Sequence, residues 1–371
     1  MTDKPTLSFI IIARQVRRIL RKLIAKSAVV FHLLAMILRP KSSLSRYAAL
    51  SGAAGVAPAI ALPAWLRRAI PEAQTLATQD VADVALAAGA ALSALDAVVR
   101  RQERWAGAWR QRLALGAAAI AAKQAGRVED EAALRDAVLL TKAGDDVGPA
   151  GRMSLGWRRL ATRPTDALLT RKSLAAMLEE FGHALDDDTL GDLVSELRPL
   201  ATGGTVEMMV GAFRVAGQYG FGRSVGAWLA DALVAQRLGW PRAVPLLGAE
   251  INAACPGRPR RSRTAIAACI EDESARAKSL LAAQARAALR AVDLSAELGR
   301  RADRLLAVAP KLRAKAADAV VEKLLSDDAI VASEKIAGMS DRGLRRLFDR
   351  LVELGAVREL SGRPTFRIYG L

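Results

Sequence analysis

The 371-residue sequence predicts an all-α fold that ends in one small β-hairpin. Three observations predict it. Hydrophobic residues make up 52% of the chain, much of it alanine, and only 4% is aromatic; alanine, leucine and arginine are strong helix formers. Apolar residues recur at helical spacings of three and four along most of the chain. The one convincing β signal is a pair of short β-prone runs, residues 357–360 and 365–369, around the turn residues Ser361, Gly362, Arg363 and Pro364.

Residues 1–55 read as a basic and apolar N-terminal extension. Arg14, Arg17, Arg18, Arg21, Lys22 and Lys26 precede the apolar run 28–38, and Arg39 and Lys41 follow at once. That run falls short of the roughly 20 residues needed to span a bilayer. Membrane-surface contact through residues 9–38, as a basic amphipathic helix, is the second reading. Residues 51–71 are rich in alanine, glycine and proline and read as a linker or cap.

Residues 56–257 form the expected helical domain. Residues 80–102 carry Val81, Val84, Ala88, Ala91, Leu95 and Val98 on one face, and 103–124 place Trp105, Trp109 and Leu113 at spacings of four. Shorter helices are expected over 130–142, 149–161, 173–184, 189–197, 205–218, 224–238 and 244–254. Residues 258–317 are a basic helical connector, with a helix over 264–308 that a break could interrupt. No strict repeat period emerges, so a solenoid has no support.

Residues 318–371 are the most informative stretch. Leu344, Leu347, Leu351 and Leu354 form an apolar stripe, with Ser340 as cap before it and Gly355 as stop after it. The opposite face carries Asp341, Arg342, Arg345, Arg346 and Asp349. Short helices over 317–326 and 333–337 precede it and the hairpin follows. This is the order of a winged helix-turn-helix, whose third helix enters the major groove. The expected fold is therefore a multi-helix domain followed by a small C-terminal winged helix-turn-helix, with Leu344, Leu347, Leu351, Leu354, Phe366 and Ile368 packing the latter.

The segment Leu-Val-Glu-Leu-Gly-Ala-Val-Arg-Glu-Leu-Ser-Gly-Arg-Pro-Thr-Phe-Arg, residues 351–367, resembles the recognition helix and wing of bacterial winged-helix regulators. It also resembles the C-terminal module of Fic-type proteins, but their His-Pro-Phe and Gly-Asn-Gly-Arg elements are missing, so nucleotide transfer is not implied. From about Val56 onward the chain is similar to a bacterial family, often plasmid-borne, known only as a domain of unknown function. Residues 89–96, 105–115, 129–135 and 309–315 carry that similarity, which implies a shared fold and no activity.

The net charge of +17 is uneven. Residues 1–50 hold ten basic and one acidic residue, and residues 258–317 hold 14 and six; residues 51–257 and 318–371 are each balanced, at 22 and at nine of either sign. A basic protein suits phosphate-rich polymers or anionic membranes. Double-stranded DNA is the expected partner, met by Ser340, Arg342, Arg345, Arg346, Arg363 and Arg367. Arginine can pair with guanine O6 and N7 or neutralise phosphate. The alternative is a helical scaffold whose winged helix binds protein, which the balanced charge of 318–371 permits.

Other features weigh towards structure. Asp186, Asp187 and Asp188 could ligate a divalent ion but more often cap a helix. The glycines of 217–226 lack the strand and spacing of a phosphate cradle. His32 and His183 form no pair, and Cys255 and Cys269 form no metal set. The six tryptophans read as core. Arg258, Arg260, Arg261 and Arg263 divide evenly between a solvated loop and a phosphate-contacting arm. No catalytic residue, metal or cofactor is expected, and the compartment expected is the cytoplasm. Ala285, Leu289, Val292, Ala296, Ala302 and Leu305 form a stripe that packs internally or supports a homodimer.

Overall fold

Alanine on a helix face lets a neighbouring helix approach closely, and this property shapes the body of the protein. The structure, a computed structural model, describes residues 62–70, 76–142, 144–251, 267–312, 314 and 316–371. Helices α1 (Ala64–Ala69), α2 (Val81–Arg101), α3 (Ala106–Gln124), α4 (Glu131–Leu139), α5 (Gly148–Thr162), α6 (Thr165–Leu168) and α7 (Arg171–Glu180) come first. Then follow α8 (Asp187–Leu200), α9 (Thr205–Gln218), α10 (Arg223–Arg237), α11 (Ala267–Val308), α12 (Ala317–Ser326) and α13 (Asp341–Glu353). The molecule is mostly helical, as composition predicts. The N-terminal extension with residues 9–38, His32, Cys255 and the arginine cluster at 258–263 lie outside the described residues.

The longest helix, α11, runs unbroken for 42 residues, so the break left open within 264–308 does not occur from Ala267 onward. It packs most extensively on α2. Ala285, Leu289, Val292, Ala302 and Leu305 are buried within this chain, so the stripe that could have supported a homodimer is occupied internally. Val84, Ala87, Ala88, Ala91, Leu95 and Val99 are the buried face of α2. Among described helices only α2 is long and apolar enough to cross a membrane, with mean hydropathy 1.7 over its most apolar stretch.

Helix α3 lies between α5 and the 3-10 turn Leu247–Glu250. Trp109 donates its indole N–H to the Ala291 carbonyl at 2.9 Å, joining α3 to α11. Gly248 is required there, because a Cβ would lie 2.4 Å from the Trp157 ring. The glycines around 217–226 form a turn and a close helix contact: Gly226 on α10 sits where a Cβ would meet the Phe213 ring at 2.8 Å. Of the six tryptophans, Trp109, Trp157, Trp228 and Trp240 are buried and Trp105 is half-buried, whereas Trp65 is 48% exposed.

A fully buried carboxylate secures the start of that 3-10 turn. Asp231 on α10 accepts the backbone N–H of Leu246 at 2.8 Å and of Leu247 at 3.1 Å. Burial pushes its carboxyl up to about 7, against the opposing pull of those hydrogen bonds.

Three short strands follow α12: β1 (Ile330–Val331), β2 (Arg358–Glu359) and β3 (Ile368–Gly370). All pairing is antiparallel and β3 lies in the middle, with Ile330 opposite Tyr369 and Arg358 opposite Gly370. The expected hairpin is β2–β3. Strand β1 was not expected. The helix expected over 333–337 is absent; residues 334–336 are irregular and lie between two turns, the second holding Gly338 at φ 81°. Five residues with one apolar anchor cannot offset the cost of helix nucleation. Two expected core residues face solvent: Phe366 is 67% exposed and Leu354 37%. Pro58–Leu371 is one compact unit, and residues 1–57 lie outside the described residues.

Two outcomes follow for stability. Leu347 is 5% exposed in a continuous core. Leu347→Ala should lower the unfolding free energy by about 2–5 kcal/mol in denaturant titration. For Asp231, the folded carboxyl keeps its proton over a range where the unfolded chain has lost it. Its contribution is complete below about pH 4 and is lost as pH rises towards 7. Asp231→Asn cannot titrate, so its stability relative to wild type should improve between pH 5 and pH 8.

Candidate nucleic-acid interface

Helix α13 has two unlike faces. Leu344, Leu347, Phe348 and Leu351 are buried, and the Phe348 ring stacks on Tyr369 of β3 with centroids 4.3 Å apart. The ends behave as their residues dictate. Ser340 Oγ accepts the Gly343 N–H at 3.2 Å. Gly355 takes the left-handed conformation at φ 65°, and the Ala356 N–H returns to the Leu351 carbonyl.

Arg342, Arg345 and Arg346 occupy the exposed face, and none forms an ion pair with a described residue. Exposed arginines are most often just solvated. Here three lie on one helix whose other side is immobilised. Asp341 and Asp349 flank them, and Arg350 is taken by Glu353 at 2.7 Å.

The β2–β3 hairpin differs from expectation in one consequential way. Glu359 clamps its turn by accepting the N–H groups of Ser361 at 2.8 Å and Gly362 at 3.0 Å, as well as the Ser361 hydroxyl. Arg363, expected to be free at the wing tip, is ion-paired with Asp136 of α4. Arg367 lies 3.9 Å from Asp349 and is itself exposed. Of the six expected residues, the structure therefore brings together Ser340, Arg342, Arg345 and Arg346 on α13, with Arg367 at that helix's far end; Arg363 turns to the helical body.

A further basic group was not foreseen. Arg358 on β2 lies near Arg301 of α11; burial lowers the Arg301 pKa, and the Arg358 charge adds to the effect. Arg301 is held by Glu297, whereas Arg300 and Arg358 have no ion pair among the described residues. Strand alternation signals Arg358, since Val357 points inward. Nothing local joins it to a helix nearly 60 positions earlier.

Buried charges hold this region to the helical body. Asp328, between α12 and β1, pairs with Arg112 of α3 and with Arg135 of α4, the latter at 2.6 Å. Burial alone would raise its pKa, but the two guanidinium groups outweigh burial and hold the carboxyl below its ordinary value. Gln111 donates to the Ser326 carbonyl at 3.0 Å and to Asp327 at 2.9 Å. Gly107 lets the chains touch, since a Cβ there would lie 2.4 Å from the Ser326 oxygen.

The remaining candidates resolve into structure. Asp186 caps α8 by accepting the Thr189 N–H at 2.7 Å, with Asp187 and Asp188 in the first turn. Among the described residues no group of three potential ligands could hold a metal ion. His183 stacks obliquely on Phe221, and burial lowers its pKa.

Asp328→Ala should cost about 3–5 kcal/mol, because Arg112 and Arg135 would remain buried without a counter-charge. With the folded carboxyl held low, this stability is present above about pH 4 and lost on acidification. Acid titration followed by circular dichroism should show a shallower loss in the variant.

Comparison with known proteins adds one finding. The family model described as "Protein of unknown function (DUF1403)" matches residues 55–371. No curated protein matches the chain.

Proposed function

The chain belongs to the DUF1403 family, and from the geometry of residues 318–371 we propose a DNA-binding accessory or transcription-regulatory protein acting through a C-terminal winged helix. The observation that carries this reading is α13: its apolar face is locked into the core while Arg342, Arg345 and Arg346 stand exposed without ion pairs to described residues. The order α12, β1, turns, α13, β2, β3, with β3 central, supports a winged helix whose second helix is reduced to turns.

In this reading Arg345 and Arg346 reach base edges in the major groove of double-stranded DNA, where a guanidinium can take guanine O6 and N7 together. Arg342, near the helix start, suits a phosphate. Asp341 and Asp349 would repel the backbone, so the middle of the helix meets the groove. Arg363 is engaged by Asp136, and a phosphate contact falls instead to Arg358, near Arg301. No enzymatic step is involved, and the site of action is the cytoplasm.

A helical scaffold that binds protein through the same module is the second reading. The exposed Phe366 favours it, since an aromatic ring 67% exposed beside charged residues suits a protein surface.

Binding of DNA by wild type, Arg345→Ala, Arg346→Ala and Arg358→Ala across a salt series separates the two. Loss of a base contact at Arg345 or Arg346 should cost about 1–3 kcal/mol on the preferred site and relax its sequence preference. Arg358→Ala should weaken all sequences alike and reduce the salt slope by about one. Equal binding by all four proteins, or none at low salt, leaves the scaffold as the account.

A further inference from the structure

Away from α13, a cleft of about 490 Å³ opens where four parts of the chain meet. They are the turn between α2 and α3, the end of α5, the segment at Pro241 and Arg242, and the end of α12. Arg104, Arg110 and Arg242 line it, together with Glu103 and Asp327. Two of these charges are engaged: Arg104 by Glu322, and Asp327 by Arg158, Lys323 and Gln111. Glu103 forms no ion pair with a described residue.

Arg110 and Arg242 are the unusual members. Arg110 is half-buried and Arg242 exposed, and neither has a carboxylate partner among the described residues. Each donates only its Nε–H to protein, Arg110 to the Ala161 carbonyl at 3.1 Å and Arg242 to the Thr162 carbonyl at 3.0 Å. The bland explanation is that both cap the C-terminal end of α5, where free carbonyls and the helix dipole favour cations. That explains one N–H of each guanidinium. A helix end offers only about half a negative charge, against two full positive charges. Burial and the neighbouring Arg242 together push Arg110 down to about 10. The remaining N–H groups of both side chains have no acceptor among the described residues.

We propose that this cleft binds a small phosphate-bearing molecule, whose dianionic group is held between Arg110 and Arg242. A phosphate monoester carries about −1.5 to −2 charge near pH 7 and has several strong acceptor oxygens. The guanidinium fork matches phosphate geometry with paired N–H donors. The cleft is larger than one phosphate needs and lies in the range of small-molecule sites, about 300–1,000 Å³. The class is therefore a phosphorylated small molecule. The inference does not depend on DNA binding by α13.

Calorimetric titration of the full chain with inorganic pyrophosphate tests it, with succinate as a dianion lacking phosphate geometry. Pyrophosphate should bind saturably at one site, and Arg242→Gln should weaken it by about tenfold or more, as expected for loss of a charge-assisted contact. Arg242 is exposed, so this variant tests charge without disturbing the core; Arg110→Gln should show the same loss, and Arg152→Gln none. Four results would overturn the proposal: no saturable binding to wild type, unchanged affinity in Arg242→Gln, succinate binding as tightly as pyrophosphate, or displacement of pyrophosphate by a short DNA duplex. The last would assign both arginines to the nucleic-acid backbone.

Discussion

The position of the whole C-terminal region depends on one buried carboxylate. Asp328 sits where α12 gives way to β1, between a guanidinium from α3 and another from α4. Ion pairs removed from water must be geometrically complete, because each unpaired charge would cost several kcal/mol. The pairing is therefore directional as well as attractive: with both arginines in place, few orientations of the strand remain available. Gln111 and Gly107 extend the same constraint along α12. Ala329, Val331 and Ile368 then close against Leu139 and Leu140 at the end of α4.

This anchorage separates two kinds of surface. Where the sheet meets α4, charges are used up: Arg135 by Asp328 and Arg363 by Asp136. On the outer side of α13 and around β2, Arg342, Arg345, Arg346, Arg300 and Arg358 have no ion pair with a described residue. A tight inner seam thus permits a set of free arginines outside, since the helix presenting them cannot turn away. The same reasoning applies to Arg110 and Arg242, fixed by one bond each to consecutive carbonyls.

What could be read from sequence was local. The boundaries of α13 follow from its leucine spacing, the Ser340 hydroxyl and Gly355, all within sixteen residues of one another. The hairpin follows from its turn residues. The misread parts depend on distant partners or on backbone handedness. Two-residue β1 exists only because Tyr369 and Ile368 lie beside it. Phe366 alternates correctly for a core residue, but its positive φ of 54° turns the side chain out. Asp328 meets residues 193 and 216 positions away, and Asp136 gives no sign that it will capture Arg363. The free arginines of α13 were legible as a helix face; Arg358 and the Arg110–Arg242 pair were not, because only the folded chain assembles them.

The sheet order has a consequence for how the chain is made. Strand β3 is the middle strand yet follows both neighbours in sequence, and β1 and β2 share no pairing. During synthesis, β1 and β2 leave the ribosome before the strand that joins them, so each waits with unpaired backbone groups until β3 emerges. The stacking of Phe348 on Tyr369 waits as well. Helix α13 thus precedes one of its packing partners in the chain, and the Phe348–Tyr369 stack that helps fix its inner face can form only once the last strand has been made.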